Sequence, residues 1–354
     1  MTIKRPTPTL LDVAEMAGVS TATVSRCLNF PDQLAANTRT KVKLAVKTLG
    51  YSPNFGARAM AARRTNTIGA IIPTMENAVF ARGLQAFQEE LRQHGFTMLV
   101  ASTSYRPDLE AEQIRSLVAR GADALLLIGH ERDPEIYNFL ETQGVPALVT
   151  WAFDSGSARP SVGFNNKAAN YAMAAEVIAF GHRELALISA ETSTNDRAHA
   201  RHLGIQSAMT DAGMMPETLR FIETPYGIEN GAKAFEKIMQ DPIRPTAVFC
   251  GNDVLGVGAL QRARQMGIRV PEDVSIVGFD DIELAQITYP ALTTVHVPHR
   301  EMGRRAALAL VGLIQDSTAI ETVELHATLV FRDTLGPVHK SPSTREDRSY
   351  SEVK

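Results

Sequence analysis

The first fifty residues show the spacing of short amphipathic helices. In the segment LLDVAEMA, apolar side chains recur at the i, i+3, i+4, i+7 positions of a helix, and Gly18 follows, as a tight turn requires. The next segment, VSTATVSRCLN, predicts a second helix with apolar and polar sides, and the spacing over 38–49 predicts a third. This pattern predicts a small all-α helix-turn-helix head.

From Thr67 onward, short apolar segments alternate with helical segments. This alternation predicts an α/β body in which parallel sheets carry helices on both faces. The predicted strands are TIGAII, FTMLVAS, DALLLI, VPALVT, ELALIS, a strand near 219–223, TAVFC, VSIVGF, TTVHV and ELHATLVF. The predicted helices span 78–93, 109–120, 134–143, 165–180, 199–212, 228–239, 253–266 and 299–315. The polar segment 337–354 predicts a disordered tail.

Charge separates the head from the body. Residues 1–64 carry a formal charge of +7, whereas the whole chain carries −3, so the remainder carries −10. A basic head on an acidic body predicts that the head binds a polyanion. The alternative explanation of this asymmetry is a simple charge bias of the solvated surface.

Several classes of protein are excluded by what the chain lacks. It has no apolar segment long enough to cross a bilayer and no secretory signal, so we expect it in the cytoplasm. Two cysteines, Cys27 and Cys250, cannot build a disulfide framework. There is no phosphate-binding loop, nucleophile elbow or metal-ligand cluster, and no acidic or cysteine partners complete a metal set around the histidine pairs at 199/202 and 296/299. We therefore expect no catalytic residues, no metal and no cofactor.

The segments TLLDVAEMAGVSTATVSRCLN and TRTKVKLAVKTLGYSPN resemble the DNA-binding head of the LacI/GalR family of bacterial transcription regulators. The resemblance implies that Thr21, Ala22 and Arg26 face base edges, and arginine chemistry agrees because its fork can bind guanine. Hydroxyl and amide side chains suit phosphates. These residues are Thr9, Ser20, Thr23, Ser25 and Asn29, although Thr23 and Ser25 have helix capping or surface roles as the alternative. Ala35 replaces the family's usual serine, so Asn37 or Thr38 is expected to cap the third helix.

In the family, a hinge helix in the minor groove follows the head. The resemblance places this helix at roughly 54–61, within a hinge and linker segment of 54–65, and implies DNA contacts from Asn54, Arg58 and Arg63. Met60 stands where relatives carry a wedging leucine. An eight-residue helix that contains Gly56 is too short to be stable alone, so we expect it to fold on DNA. A flexible basic linker is the alternative.

The body matches the family in IGAIIP, GNDVLGVGAL, GIRVPEDVSIVGFDD and PALTTV. This resemblance implies two doubly wound lobes of the periplasmic-binding-protein type. The predicted division is head 1–53, hinge 54–65 and body 66–336, with one lobe at about 66–163 plus 296–324 and the other at about 164–295 plus 325–336.

Ligands of such folds bind between the lobes, at the carboxyl ends of strands. By family position, Arg201 and Asp280 would bind a carboxylate or hydroxyls, and Asn252 can donate and accept hydrogen bonds. The predicted effector site also includes Phe80, His130, Trp151 and Tyr226. Alternatives are open: Asp280 can cap a following helix, Phe80 or Tyr226 can be core residues, and Arg201 can form a structural ion pair.

The leading hypothesis is a repressor of a carbohydrate or sugar-acid catabolic operon that a small-molecule effector releases from its operator. SYRPDLEAEQ, GADALLLIG and SVGFNN also resemble gluconate-operon repressors of the family. We expect a homodimer on a pseudo-palindromic double-stranded operator. The alternatives are a purine-repressor-type regulator that uses a corepressor, a sugar-binding transport protein, which the head opposes, and a sugar-processing enzyme, which the missing catalytic motifs oppose.

Overall fold

The computed structural model describes residues 7–338 apart from 30, 53–63, 77, 317–318 and 320. The chain divides into two compact units, residues 1–65 and 66–354. The predicted hinge contacts Asn54, Arg58, Met60 and Arg63, and most of the predicted tail, lie outside the described residues. Within the described part of the chain, no helix is both long and apolar enough to cross a membrane.

The head contains the three predicted helices, α1 (Leu10–Ala17), α2 (Thr21–Asn29) and α3 (Ala36–Leu49). Gly18 adopts the left-handed conformation that the turn after α1 requires. The helices pack around a small core of Val13, Ala14, Ala17, Val24, Cys27, Val42 and Ala45. The predicted helix-turn-helix head is thereby confirmed.

The start of α3 differs from the prediction. Helix α3 begins at Ala36, two residues earlier than its apolar spacing indicated, and Ala35 caps it without a side-chain hydrogen bond. Asn37 and Thr38 therefore lie inside the first turn, so the prediction that one of them is the N-cap is wrong.

In the body, the first lobe is built on a six-stranded sheet in the order β11-β5-β4-β3-β1-β2, and all its strand pairs are parallel. Strand β1 lies between β3 and β2, so the strand order reverses there and opens a crevice at the carboxyl ends. The strands are β1 (Thr67–Ile72), β2 (Thr97–Ser102), β3 (Ala124–Ile128), β4 (Ala147–Thr150), β5 (Ser161–Gly163) and β11 (Val323–Glu324). The helices are α4 (Ala78–Gln93), α5 (Pro107–Ala119), α6 (Pro134–Gln143) and α12 (His299–Asp316).

The second lobe is built on a four-stranded parallel sheet in the order β7-β6-β8-β9. Its strands are β6 (Leu185–Ser189), β7 (Arg220–Glu223), β8 (Ala247–Cys250) and β9 (Ser275–Val277). Its helices are α7 (Asn166–Ala179), α8 (Asp196–Asp211), α9 (Ile228–Met239), α10 (Asp253–Gln265) and α11 (Glu283–Ile287). Two parallel-sheet lobes of the predicted kind are therefore present.

The predicted strand ELHATLVF is in fact two short strands in different sheets. Strand β11 pairs with β5 in the first lobe, whereas β12 (Thr328–Val330) pairs antiparallel with β10 (Thr294–His296). Between them, the amide of Leu325 donates to the carbonyl of Gly163 at 2.7 Å. The apolar pattern continues through this segment because both strands are partly buried, so the pattern does not show the change of sheet.

Candidate functional site

The predicted base-contacting residues share the solvent-facing side of α2. Thr21, Ala22 and Arg26 are exposed, whereas Val24 and Cys27 on the opposite side are buried in the head core. No ion pair with another described residue engages the Arg26 guanidinium. This side chain is therefore available for a base edge.

Three of the predicted phosphate-contacting hydroxyls, those of Thr9, Ser20 and Thr23, lie at the starts of helices. Thr9 caps α1, where its Oγ1 accepts from the amide of Asp12 at 3.3 Å. Ser20 Oγ accepts from the amide of Thr23 at 3.2 Å and shares a hydrogen bond with Thr23 Oγ1 at 2.9 Å. Helix N-termini attract anions, so these positions suit phosphates. Ser25 is half-buried, and Asn29 is the last residue of α2.

In the body, a cavity of about 30 Å³ lies where the carboxyl ends of the two main sheets face each other. It contains six of the seven predicted effector-site residues, namely Phe80, Trp151, Arg201, Tyr226, Asn252 and Asp280, together with Val79, Tyr105, Phe164, Asn195 and Arg197. The structure does not bring His130 to this cavity. Its amide instead donates to Asp196, and its Nδ1 lies 3.3 Å from Ser157 Oγ.

Trp151 forms part of the aromatic wall, and neighbours from two lobes hold it. Its Nε1 donates to His299 Nδ1 at 3.2 Å, and its carbonyl accepts from Asn166 Nδ2 at 2.9 Å. Its ring packs on Phe80 with the centroids 5.4 Å apart. The ring also fills the space over Gly83, where an added Cβ would lie 2.4 Å from it. Helix α4 therefore needs glycine at this position.

Arg201 is buried and also lines the cavity. Its Nη1 donates to Asn166 Oδ1 at 2.8 Å, its Nη2 donates to Tyr226 Oη at 2.9 Å, and its guanidinium lies over the Phe279 ring. These partners are neutral, so the alternative of a structural ion pair does not describe Arg201. Its buried Nε has no hydrogen-bond partner among the described residues.

Asp280 lies in a turn with unusual backbone conformation. Asp280 and Asp281 have φ values of 102° and 53°, a region that non-glycine residues rarely adopt. Asp253, at the start of α10, holds this turn because its carboxylate accepts from the amide of Ile282 at 2.8 Å and from Thr294 Oγ1 at 2.5 Å. Helix α11 begins after Ile282 without a side-chain cap, so Asp280 is not its N-cap.

The Asp280 carboxylate is buried and accepts no hydrogen bond from the described residues. Burial raises its pKa to about 7, although the guanidinium groups of Arg201 and Arg197 act in the opposite direction. Nearby, Asn252 Oδ1 caps α10, while its buried Nδ2 has no hydrogen-bond partner in the part of the chain that the structure describes. An acceptor and two donors with unused hydrogen-bonding capacity thus line one aromatic cavity, as expected of a site for a polar ligand.

His299 connects Trp151 to the Asp280 turn as a neutral imidazole. Burial lowers its pKa to about 3. Since Nδ1 accepts from Trp151, the proton lies on Nε2, which donates to the Asp280 carbonyl at 3.3 Å. The two sides of the cavity are therefore joined by a directional hydrogen-bond chain.

Sequence reasoning missed Tyr105, Phe164, Asn195 and Arg197. Tyr105 follows β2, Phe164 follows β5, and Asn195 and Arg197 begin the helix after β6. Burial raises the pKa of the Tyr105 hydroxyl. All four lie just beyond the carboxyl ends of strands, so applying that positional rule to every strand could have found them.

A helix-turn-helix head followed by a two-lobed α/β body with a polar interlobe cavity defines a ligand-responsive DNA-binding regulator. Comparison with known proteins gives the same division. The family described as bacterial regulatory proteins, lacI family, matches residues 9–54, and the periplasmic binding protein-like domain matches residues 174–335.

A transcriptional repressor named PurR from Erwinia tasmaniensis is 32% identical over 327 residues, which cover 92% of this chain and 96% of that protein. The lac repressor dimer bound to operator and the anti-inducer ONPF has a TM-score of 0.82 at 26% identity, covering 94% of this chain and 100% of that one. The complex of the regulator CelR with cellobiose has a TM-score of 0.67 at 29% identity, covering 92% of this chain and 99% of that one.

The chain therefore belongs to the LacI family of bacterial regulatory proteins. Its relatives are transcriptional repressors, so it is a transcription regulator and not an enzyme.

We expect Asp280→Asn to stabilise the protein increasingly as pH rises from about 4 to 7. The native carboxyl has a pKa raised to about 7, while the unfolded one titrates near 4. The native state therefore binds the extra proton in this window, and wild-type stability falls there by up to about 1.4 kcal/mol per pH unit. Asparagine tolerates the left-handed backbone and carries no charge.

Thermal unfolding of both proteins from pH 5 to 8 tests this prediction. Asp316→Asn, at the exposed end of α12, is the matched control and is expected to follow the wild-type curve. A constant difference between Asp280→Asn and wild type across this range would contradict a raised pKa.

Proposed function

We propose that this chain represses a carbohydrate or sugar-acid catabolic operon and that a polyhydroxylated effector, gluconate-like in chemistry, releases it from a pseudo-palindromic operator. The observation that carries the proposal is that the buried Arg201 Nε and Asn252 Nδ2 have no hydrogen-bond partner among the described residues, in an aromatic cavity that the Asp280 carboxyl group also lines. A carboxylate accepts from vicinal hydroxyls, and a guanidinium binds a ligand carboxylate. The regulator acts in the cytoplasm, where the chromosome lies.

The predicted roles follow from this proposal. Thr21, Ala22 and Arg26 contact base edges, while Thr9, Ser20, Thr23, Ser25 and Asn29 contact phosphates. Effector contacts come from the six predicted residues of the cavity. The aromatic side chains Phe80, Trp151 and Tyr226 cover the carbon–hydrogen faces of the ligand. CelR, which was solved with cellobiose, supports a sugar-like ligand for this fold.

A purine-repressor-type regulator that binds DNA with a corepressor is the second candidate. The relatives named PurR, at 32% identity over 92% of this chain, favour it. The aromatic walls can stack on a planar base as well as on a sugar. The two candidates differ in the sign of the response, because an inducer weakens operator binding and a corepressor strengthens it.

We expect Arg26→Ala to weaken binding to a duplex selected with the wild-type protein by about 1–3 kcal/mol, and to relax the preference at one base pair. The physical reason is the loss of a guanidinium fork at a base edge. Gel shifts with the selected duplex and with random-sequence duplex measure the effect. Lys47→Ala removes the same charge from an exposed position on α3 and is expected to change both affinities alike. Equal losses for the two variants on selected and random DNA would contradict base readout by Arg26.

We expect Arg201→Lys to leave operator affinity near wild type and to weaken the effector response at least about tenfold. Lysine keeps the charge but cannot reproduce the planar fork that Arg201 presents. A thermal-shift screen of gluconate, neutral sugars and purine bases first identifies the ligand by mass action. Gel shifts with that ligand then measure the response.

Arg262→Lys is the matched control, since Arg262 pairs with Glu236 outside the cavity. An unchanged response in Arg201→Lys would overturn the assignment of this cavity. Stabilisation by a purine base and none by sugars or sugar acids would select the second candidate.

We further propose that the chain acts as a homodimer and that the segment around α11 contributes to the interface. Ile287 and Tyr289 are 75% and 94% exposed, although both are large and apolar or aromatic. Exposed apolar patches mark interaction surfaces, and these two residues lie two positions apart in the chain. The repressor solved as a dimer on its operator supports this assembly.

We expect Tyr289→Asp to raise the dimer dissociation constant at least about tenfold, because a charge at a buried interface costs more than 1.4 kcal/mol. Sedimentation velocity over a range of micromolar concentrations measures it. Met215→Asp changes another exposed apolar residue and is expected to leave the dimer intact. A Tyr289→Asp protein that remains as dimeric as wild type would place the interface elsewhere.

A further inference from the structure

Three hydrogen bonds join the loop after β3 in the first lobe to the first residues of α8 in the second. The Asp196 carboxylate accepts from the amides of His130 and Glu131 at 2.5 and 3.3 Å. Arg197 Nη1 donates to the carbonyl of Ile128 at 3.2 Å. We refer to these bonds, made by residues 128–131 with Asp196 and Arg197, as the interlobe contact.

The interlobe contact is assisted by charge. Arg197 Nη1 also donates to Asp196 Oδ1 at 2.8 Å, so the two side chains form one unit. Burial alone would raise the pKa of Asp196. However, the Arg197 guanidinium and the amides of His130 and Glu131 together hold the pKa below its ordinary value. The carboxylate is therefore ionised at neutral pH, and hydrogen bonds to an ionised acceptor are stronger than those between neutral groups.

Gly129 permits this approach of the two lobes. It has φ +77°, and a Cβ added there would lie 1.9 Å from Arg197 Nη1 and 2.5 Å from Asp196 Oδ1. Any side chain at residue 129 would therefore displace both partners, in addition to the backbone strain. The contact thus depends on residues from both lobes, which gives two independent ways to break it.

Arg197 is common to the interlobe contact and the ligand cavity, where it lies with Arg201 and Asp280. An acidic group that enters the cavity therefore meets a guanidinium that already holds the first lobe. The same side chain faces the ligand and joins the two lobes.

We infer that Asp196 and Arg197 hold the lobes closed and that the strength of this contact sets the apparent affinity for the ligand. A ligand that binds only the closed body has an apparent Kd equal to its intrinsic Kd divided by the fraction of molecules that are closed. Weakening the contact lowers that fraction. The inference rests on the proposed function only in placing the ligand in the cavity, because the opening of the lobes can be measured without a ligand.

Trp151 provides the measurement, because it is the only tryptophan of the chain, is 3% exposed and lines the cavity. Acrylamide quenching of Trp151 fluorescence in the full-length protein reports how often acrylamide from the solvent reaches the indole ring. We expect Asp196→Ala and Gly129→Ala each to raise the quenching constant at least about twofold, since the open fraction grows as the contact is lost. Circular dichroism confirms that each variant is folded, and Asp196→Asn replaces Asp196→Ala where that variant is not.

Glu283→Ala is the matched control. Glu283 pairs with Arg82 of α4 at 2.9 Å and so also joins the two lobes, but its side chain is 85% exposed. Exposed ion pairs contribute little. We expect the acrylamide quenching constant of this variant to equal that of wild type. If Asp196→Ala and Gly129→Ala both have the same quenching constant as wild type, the inference is overturned.

Titration with gluconate forms the second arm. If gluconate binds wild type, its affinity is expected to fall about tenfold in Asp196→Ala, an equilibrium change of about 1.4 kcal/mol. An unchanged affinity alongside increased quenching would overturn the link between lobe closure and ligand binding. If gluconate does not bind wild type, the proposed effector class is wrong, and the quenching result still decides whether the contact holds the lobes closed.

Discussion

Parallel strand pairing is the constraint on which the ligand site depends. Because each main sheet is wholly parallel, all its strands end at the same edge, and every βα connection there contributes a loop or a helix N-terminus. The two sheets face each other across these edges. Side chains far apart in sequence, such as Phe80 after β1 and Asp280 after β9, therefore line one cavity. An antiparallel arrangement of the same strands would have sent half of these loops to the opposite side.

Two buried aspartates, one in the cavity lining and one beside it, differ in their hydrogen-bond partners. Asp253 is outside the lining, and its carboxyl group holds the turn before α11 by accepting from the Ile282 amide and Thr294 Oγ1. Asp280 lies in the turn that Asp253 holds, yet its own carboxylate has no hydrogen-bond donor among the described residues. Burying such a group without a partner costs free energy, which a ligand with hydroxyl groups can return. The structural aspartate and the ligand-facing aspartate differ in their partners rather than in their burial.

Much of this arrangement follows from sequence because local signals and global fold agree. The helix-turn-helix was predictable from apolar spacing and Gly18, and Arg201 and Asp280 from their positions after strands in segments that match the family. The start of α3 at Ala36 was not predictable, because the N-cap residue Ala35 offers no side-chain hydrogen bond that would mark it. The division of 324–331 between two sheets was not predictable either, because apolar alternation shows burial but not which sheet provides it. Arg197 follows β6, where the rule for strand ends applies, but its contact with the first lobe leaves no periodic signal in the sequence.

His130 shows how a single backbone conformation redirects a side chain. By position after β3 it was expected in the cavity, beside the residues that follow the neighbouring strands. Gly129, with φ +77°, turns the chain so that the amides at 130 and 131 face Asp196. The loop thereby binds the other lobe through its backbone, and the imidazole lies beside Ser157. At this position the first lobe binds Asp196 and Arg197 of the second lobe, and Arg197 also lines the cavity. In the proposed mechanism, ligand recognition and lobe closure are therefore coupled through the Arg197 guanidinium.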